Sequence, residues 1–273
     1  MKKNILVTTL VIVLSAILLV GCGGSTAEDE ASKVITVGAT PSPHAEILEF
    51  IRDDVEAAGY ELEIVEFQDY ILPNTSLESG ELDANFFQHQ PYLTDFNENN
   101  GTDLVSIGAV HYEPLGLYKG SKSSVADLEA GDKIAVPNDT TNEARALQLL
   151  QAEGIITLKD GVGLEATKID IVENPYDIEI VELEAAVIPR SLPDLALAVI
   201  NGNYALSADI SSDDAIAYEA ADSEAAEEFA NIIAVKAGNE DSEKSKVLYE
   251  AITSDKVKAF IKDTYKGAVL PAF

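Results

Sequence analysis

The sequence predicts an α/β fold of two lobes joined by two hinge strands, with a ligand cleft between them. Short strand-like runs alternate with helical patterns along the 273 residues, which points to α/β layers with mainly parallel sheets. Hydrophobic residues make up 47% of the chain, enough for real cores. Glu113-Pro114 and Asn201-Gly202 interrupt long extended runs, and both places read as crossings between lobes. Residues 34–113 with 202–273 would then form one lobe and 114–201 the other. That is how proteins that close on a ligand are built.

The elements follow in order. KVITVGA (33–39) is an apolar run and reads as a buried strand. Ile47, Leu48, Ile51 and Val55 recur at helical spacing, so 43–59 reads as one helix stopped by Gly59. YELEIVEF alternates and reads as a strand, and a short helix precedes GELDANFFQ. Residues 103–118 form a long extended run broken by Pro114, which cannot donate to a sheet ladder. DKIAVPND is a strand with a turn after it, and 140–154 is a helix. KIDIVEN and IEIVELE are two more strands, and DLALAVINGNYAL (194–206) is an apolar strand breaking at Asn201-Gly202. An acidic, alanine-rich segment leads to ANIIAVKAG, a strand, and two amphipathic C-terminal helices.

The N-terminus sets the address. Lys2 and Lys3 precede an apolar run from Ile5 to Val20, the layout of a secretory signal peptide. The run is near the lower limit for a membrane span. Leu19-Val20-Gly21-Cys22 decides against a span, because it resembles the lipobox of bacterial lipoproteins, where cleavage leaves Cys22 acylated, with palmitate as an expected chain. Residues 1–21 would be the signal peptide and 22–33 a small, polar tether. Cys22 is the only cysteine, so the folded part has no disulfide, thiol nucleophile or thiolate metal ligand. Loss of Lys2 and Lys3 takes the formal net charge from −30 to −32, which argues against nucleic acid and anionic membrane surfaces as partners.

Three constellations carry candidate chemistry. Thr140-Thr141-Asn142-Glu143 matches a capping box, which would put free N–H groups and the positive helix end at that loop. Asn142 and Arg145 share a face in the first turns. Arg145 reads either as a bidentate carboxylate clamp or as a surface residue paired with Glu143 or Glu153. In NFFQHQPYL (85–93), alternation puts Phe87 and His89 on one face and Phe86 and Gln88 on the other. Either one face lines a cleft, with Tyr70 as a further wall, or both phenylalanines are core and His89 caps the next helix. Third, His44, His89 and His111 are all the histidines; with Glu113 they form a donor set for zinc or manganese, but at no local metal-motif spacing. No Gly-rich phosphate loop, G-x-S-x-G elbow, H-E-x-x-H or free cysteine is present, so no catalysis is expected.

The blocks VGATPSPHAEIL, DYILPN, GELDANFFQHQPYL, HYEPLGLY, KIAVPNDTTNEARALQLLQ, IVELEAAVIPRSL, LAVINGNYAL and GAVLPAF run in one order over nearly all of the mature chain. In them the sequence resembles the methionine-binding lipoproteins of the MetQ/NlpA family, substrate-binding subunits of methionine ABC importers; HYEPLGLY is similar to the Gram-positive branch. The resemblance implies a type II periplasmic-binding-protein-like fold. It implies a monomeric, non-catalytic receptor without cofactor, lipid-anchored at the outer membrane face, taking L-methionine to an ABC permease. It puts Arg145 on the ligand carboxylate with Asn142 beside it, Asn201 on the amino-acid head, and Tyr70, Phe87 and His89 around the side chain, with Phe86 behind. Two alternatives stay open: a glycyl-methionine dipeptide, with Glu113 meeting an amino group in either ligand, and metal uptake by the histidines.

Overall fold

The computed structural model describes residues 33–219 and 227–273. The expected signal peptide, Cys22 and the tether up to residue 32 lie outside the described residues, as do residues 220–226 of the acidic, alanine-rich segment. Among the described residues, no helix is long and apolar enough to cross a membrane.

The chain opens with β1 (Val34–Ala39), α1 (Glu46–Phe50), α2 (Arg52–Ala57), β2 (Glu61–Glu66), α3 (Leu72–Ser79), β3 (Ala84–His89), α4 (Gln90–Asn100) and β4 (Leu104–Tyr112). It continues through β5 (Gly116–Lys119), β6 (Lys133–Pro137), α5 (Thr140–Ala152), β7 (Thr157–Leu158), β8 (Ile171–Glu173), β9 (Glu179–Leu183), α6 (Ile188–Ser191) and β10 (Leu197–Ile200). It closes with α7 (Gly202–Ser207), β11 (Ala215–Tyr218), β12 (Asn231–Lys236), α8 (Glu243–Ile252), α9 (Asp255–Tyr265) and β13 (Leu270–Pro271). Two expected elements differ. The helix over 43–59 breaks at Ile51 (φ −96°, ψ 1°). The strand over 194–206 ends at Ile200, and the part after Asn201 is helix α7, which buries Tyr204 and Ala205.

Among the described residues the strands form a six-stranded sheet, β13-β4-β12-β3-β1-β2, a five-stranded sheet, β11-β5-β10-β6-β9, and the pair β7-β8. Each large sheet has its own core. Ile35, Val37, Phe86 and Ile233 pack with Ile47, Leu248 and Ile261 of the first lobe's helices. Leu117, Ile134, Val136 and Val199 pack with Leu147 and Leu150 of α5 in the second.

The sheets are mixed, not mainly parallel. β1/β3, β6/β10 and β6/β9 are parallel, but β12 is antiparallel to β3 and β4, and β5 to β10 and β11. The crossings impose this. β4 runs through Glu113-Pro114-Leu115 into β5, while β10 carries the chain back, so the two pass in opposite senses with Gly116 facing Ile200. The expected lobe boundary also changes, because β11 does not belong with the rest of 202–273: it pairs with β5 in the second lobe's sheet. Without β11, β5 would be an open edge of that sheet.

Leu147 is fully buried in the second core, so Leu147→Ala should cost about 2–5 kcal/mol of unfolding free energy. The loss would show as a lower denaturant midpoint at unchanged slope. A change under about 1 kcal/mol would contradict a tightly packed core at α5.

Candidate functional site

β3, the β4–β5 crossing, the start of α5 and the β10–α7 junction line one shared cavity. All seven residues singled out in the sequence, Tyr70, Phe87, His89, Glu113, Asn142, Arg145 and Asn201, line it.

Phe86 and Phe87 part company. Phe86 is fully buried in the first core, edge-on to His44 (4.7 Å between ring centres) and His111 (5.2 Å). Phe87 lines the cavity with Tyr70 5.7 Å and Tyr92 6.0 Å away. Gln88 lines it too, where simple alternation would turn it away. The cause is a bulge: Ile232 faces Gln88 and Ile233 faces Phe86, leaving Phe87 as the extra residue. Gln88 is held by two bonds exchanged with Asn74, at 2.8 and 2.7 Å. The Tyr70 hydroxyl donates to Asn203 Oδ1 (2.5 Å) and that of Tyr92 to the Tyr70 carbonyl (2.9 Å). Burial pushes both phenols' pKa values up, so both remain donors.

His89 is both cap and wall. Its Nδ1 accepts from the Tyr92 N–H at the start of α4 (3.2 Å), which leaves the proton on Nε2, 3.3 Å from Asn142 Oδ1. Burial, helped by Arg145, lowers its pKa to about 3, so the ring is neutral.

The cap of α5 is Asp139, not Thr140. The Asp139 carboxylate accepts from the Asn142 N–H (3.0 Å) and Nδ2 (2.8 Å). With a stronger acceptor one residue earlier, the T-x-x-E pattern does not act as a box, and Glu143 instead accepts from the Lys168 backbone N–H (3.1 Å). A carboxylate only accepts, so Asp139 fixes the Asn142 amide with Nδ2 toward itself. The other end, Oδ1, meets His89 Nε2, Asn201 Nδ2 (3.0 Å) and Arg145 Nη1 (3.4 Å).

The surface reading of Arg145 fails, since the residue is only 4% exposed. Its protein partner is neither Glu143 nor Glu153 but Glu219, reached through Nε (3.2 Å) and Nη2. Phe229 covers the guanidinium face at 4.1 Å.

Of the proposed metal ligands, the structure joins His44, His111 and Glu113 and leaves His89 apart. His111 Nε2 donates to Glu113 Oε1 (2.6 Å). His44 Nε2 lies 3.5 Å from that oxygen and 3.0 Å from Asn231 Oδ1, and its Nδ1 lies 2.7 Å from the Thr40 hydroxyl. The three donor atoms lie within 4.8 Å of one another, a set of the type divalent cations take. Their contacts are already those of a hydrogen-bonded trio, and only Glu113 of the three lines the cavity. Burial lowers His44 to about 4 and His111 to about 3 and raises the Glu113 carboxyl. Residue 202 must be glycine here, because a Cβ would come within 2.8 Å of Glu113 Cβ and 2.9 Å of its Oε2.

Two buried atoms of cavity-lining residues have no partner among the described residues: Asn201 Oδ1, an acceptor, and Asn203 Nδ2, a donor. With Glu113 and Arg145 also lining the cavity, it presents groups for a cation and an anion beside an aromatic wall. That is the complement of a zwitterion with an apolar side chain. Sequence reasoning missed Asp139, Asn203, Glu219, Phe229 and Asn231. Asn203 and Asn231 sit inside blocks already marked as a crossing and a strand, but Glu219 reaches Arg145 from 74 positions away without any local signal.

Residues 35–273 match the family described as NlpA lipoprotein. A solved putative lipoprotein from Ruminococcus gnavus is 58% identical, with a TM-score of 0.87, covering 88% of this chain and 100% of that one. A nutrient binding protein from Burkholderia cenocepacia, solved bound to methionine, is 44% identical with a TM-score of 0.83, over 88% and 100%. The D-methionine-binding lipoprotein MetQ of Salmonella typhimurium is 39% identical over 260 residues, 94% of each chain.

The histidine pKa values carry a sign. An unfolded imidazole titrates near 6.5, and these rings are held at about 3 to 4, so below pH 6.5 the unfolded chain binds protons that the folded one does not. Their contribution to stability is full above about pH 6.5 and lost as the pH falls toward the folded values. Glu113 and Glu143, raised by burial, act with the opposite sign, so the rings must be read individually. In ¹⁵N NMR all three should remain neutral at about pH 5.5; a ring titrating near 6.5 in the folded protein would contradict its burial.

Proposed function

The chain belongs to the NlpA lipoprotein family, and on that premise we propose that it is a non-catalytic, extracytoplasmic receptor that binds methionine in the cleft and passes it to an ABC permease. One observation supports the reading: Arg145 and Asn201, whose Oδ1 has no partner among the described residues, line a single cavity with an aromatic wall. The ligand carboxylate meets Arg145, and its ammonium meets Asn201 Oδ1 and Glu113. The thioether lies against Tyr70, Phe87 and His89, where each sulfur–aromatic contact contributes roughly 0.3–1.5 kcal/mol. The lobe built on β1–β4 with β12 and β13 and the lobe built on β5, β6 and β9–β11 close over the ligand. Closure excludes water and strengthens the charged contacts. Acyl chains on Cys22 hold the receptor at the outer membrane face.

The direct test is mass spectrometry of what leaves the purified lipid-free domain on denaturation, followed by titration with both enantiomers of methionine if the cleft is empty. Free methionine, or methionine binding on titration, supports the reading. A methionine dipeptide keeps the receptor role and puts the added amino group at Glu113. A metal without an organic ligand overturns it.

Arg145→Ala should cost at least about 2 kcal/mol in affinity, roughly 30-fold in Kd, because a charge-assisted contact is lost from a buried site. Calorimetry returning a value within about twofold of the parent would reject the clamp. Asn201→Ala should weaken methionine binding while leaving the melting curve in place; a matching fall in Tm would make the residue structural instead.

A further inference from the structure

We propose that Glu219 is a positioning residue that aims Arg145, gripping the Nε–Nη2 edge of the guanidinium so that the Nη1 edge is presented to the cavity. The inference rests on the reading above, in which Arg145 meets a ligand carboxylate. Glu219 directly follows β11, and its side chain is 12% exposed. Its Oε1 accepts from the Tyr112 hydroxyl (2.8 Å), the Leu115 N–H (2.8 Å) and Arg145 Nη2, and its Oε2 from Arg145 Nε (3.2 Å). One carboxylate thus ties α5 to the end of β4 and to the β4–β5 crossing.

The grip is one-sided. Arg145 offers five N–H donors in a rigid fork. Glu219 takes the Nε edge, Phe229 covers a face, and among the described residues Nη1 has only the long 3.4 Å contact with Asn142 Oδ1. The Nη1 edge is therefore where a second carboxylate fits. Arg145 lines the cavity and Glu219 does not, so Glu219 acts through Arg145 and not by touching the ligand. It also supplies the anion a buried guanidinium needs in the ligand-free protein. Burial and the Glu219 charge push the Tyr112 phenol up, so it stays a donor in this cradle.

The test titrates methionine and methioninol, which replaces the carboxylate by a hydroxymethyl group, into the parent, Glu219→Gln and Glu219→Asp. Glu219→Gln should lose at least about tenfold in affinity for methionine but change by less than about twofold for methioninol, with Glu219→Asp falling between parent and Gln for methionine. Equal losses for both ligands would make Glu219 merely structural and overturn the inference. Tighter methionine binding would also overturn it, because Glu219 would then be a competitor for the clamp. A readout without ligand accompanies these: the Arg145 Nε–H should give a slowly exchanging ¹⁵N signal in the free parent and lose protection in Glu219→Gln. An unchanged signal overturns the grip. If the parent binds no methionine, the proposed function falls while this signal still decides whether Glu219 holds Arg145. Should Glu219→Gln fail to fold, Glu219→Asp carries both readouts.

Discussion

A guanidinium buried to 4% exposure must be paired, and the junction between the lobes is organised around meeting that requirement for Arg145. Glu219 supplies the charge, Phe229 covers the face, and Asn142 Oδ1 meets the remaining edge. Asn142 can do so only because Asp139 holds its amide in one orientation. The same oxygen faces His89 from the first lobe and Asn201 from the hinge, so three segments far apart in sequence are referred to one amide. With the three histidines neutral, Arg145 is the only cation among the described residues lining the cavity.

Mechanics follow from the same contacts. His89 meets Asn142, Tyr70 donates to Asn203, and Tyr204 donates to the Gln68 carbonyl (3.2 Å), so the end of β3 is bonded to α5, and the β2–α3 connection to α7, by side chains at or beside the cavity. A ligand touching the aromatic wall and Arg145 together adds contacts that exist only when the lobes are near each other. Such differential contact is what shifts an opening equilibrium toward the closed form. Gly202 allows the close approach at the hinge, since any side chain there would collide with Glu113.

Much of this was legible in the sequence, and the failures have physical causes. Hydrophobic period and the two crossings at Pro114 and Asn201-Gly202 identified α/β lobes because burial patterns are local. Strand direction was not local: β5, β11 and β12 run as they do because of where the chain crosses, which composition does not encode. The seven candidate residues do share one cavity, since aromatic clusters and a first-turn arginine are recognisable in short windows. Their partners were not recognisable. The capping box was misread because Asp139 competes with Thr140 for the same N–H groups, and Phe87's neighbour Gln88 turned inward through a bulge no pattern announces.

Composition and site converge on the same ligand chemistry from different distances. The chain carries a formal charge of −30, whose field repels anions approaching the surface. A ligand with a carboxylate and no amine would meet that field outside and the Glu113 carboxyl inside, with Arg145, already shared with Glu219, as the one cation among the described lining residues to oppose them. A zwitterion has no net charge to repel, and in the proposed binding mode its ammonium meets Asn201 Oδ1, a buried acceptor without a partner among the described residues. Leaving such an atom unpaired costs on the order of 1–3 kcal/mol, against roughly 0.3–1.5 kcal/mol for one ring contact with the side chain. On the proposed binding mode, selection of the α-amino acid head would be the stronger filter. In the proposed receptor the aromatic wall formed by Tyr70, Phe87 and His89 would act second, sorting side chains among the zwitterions that the polar groups admit.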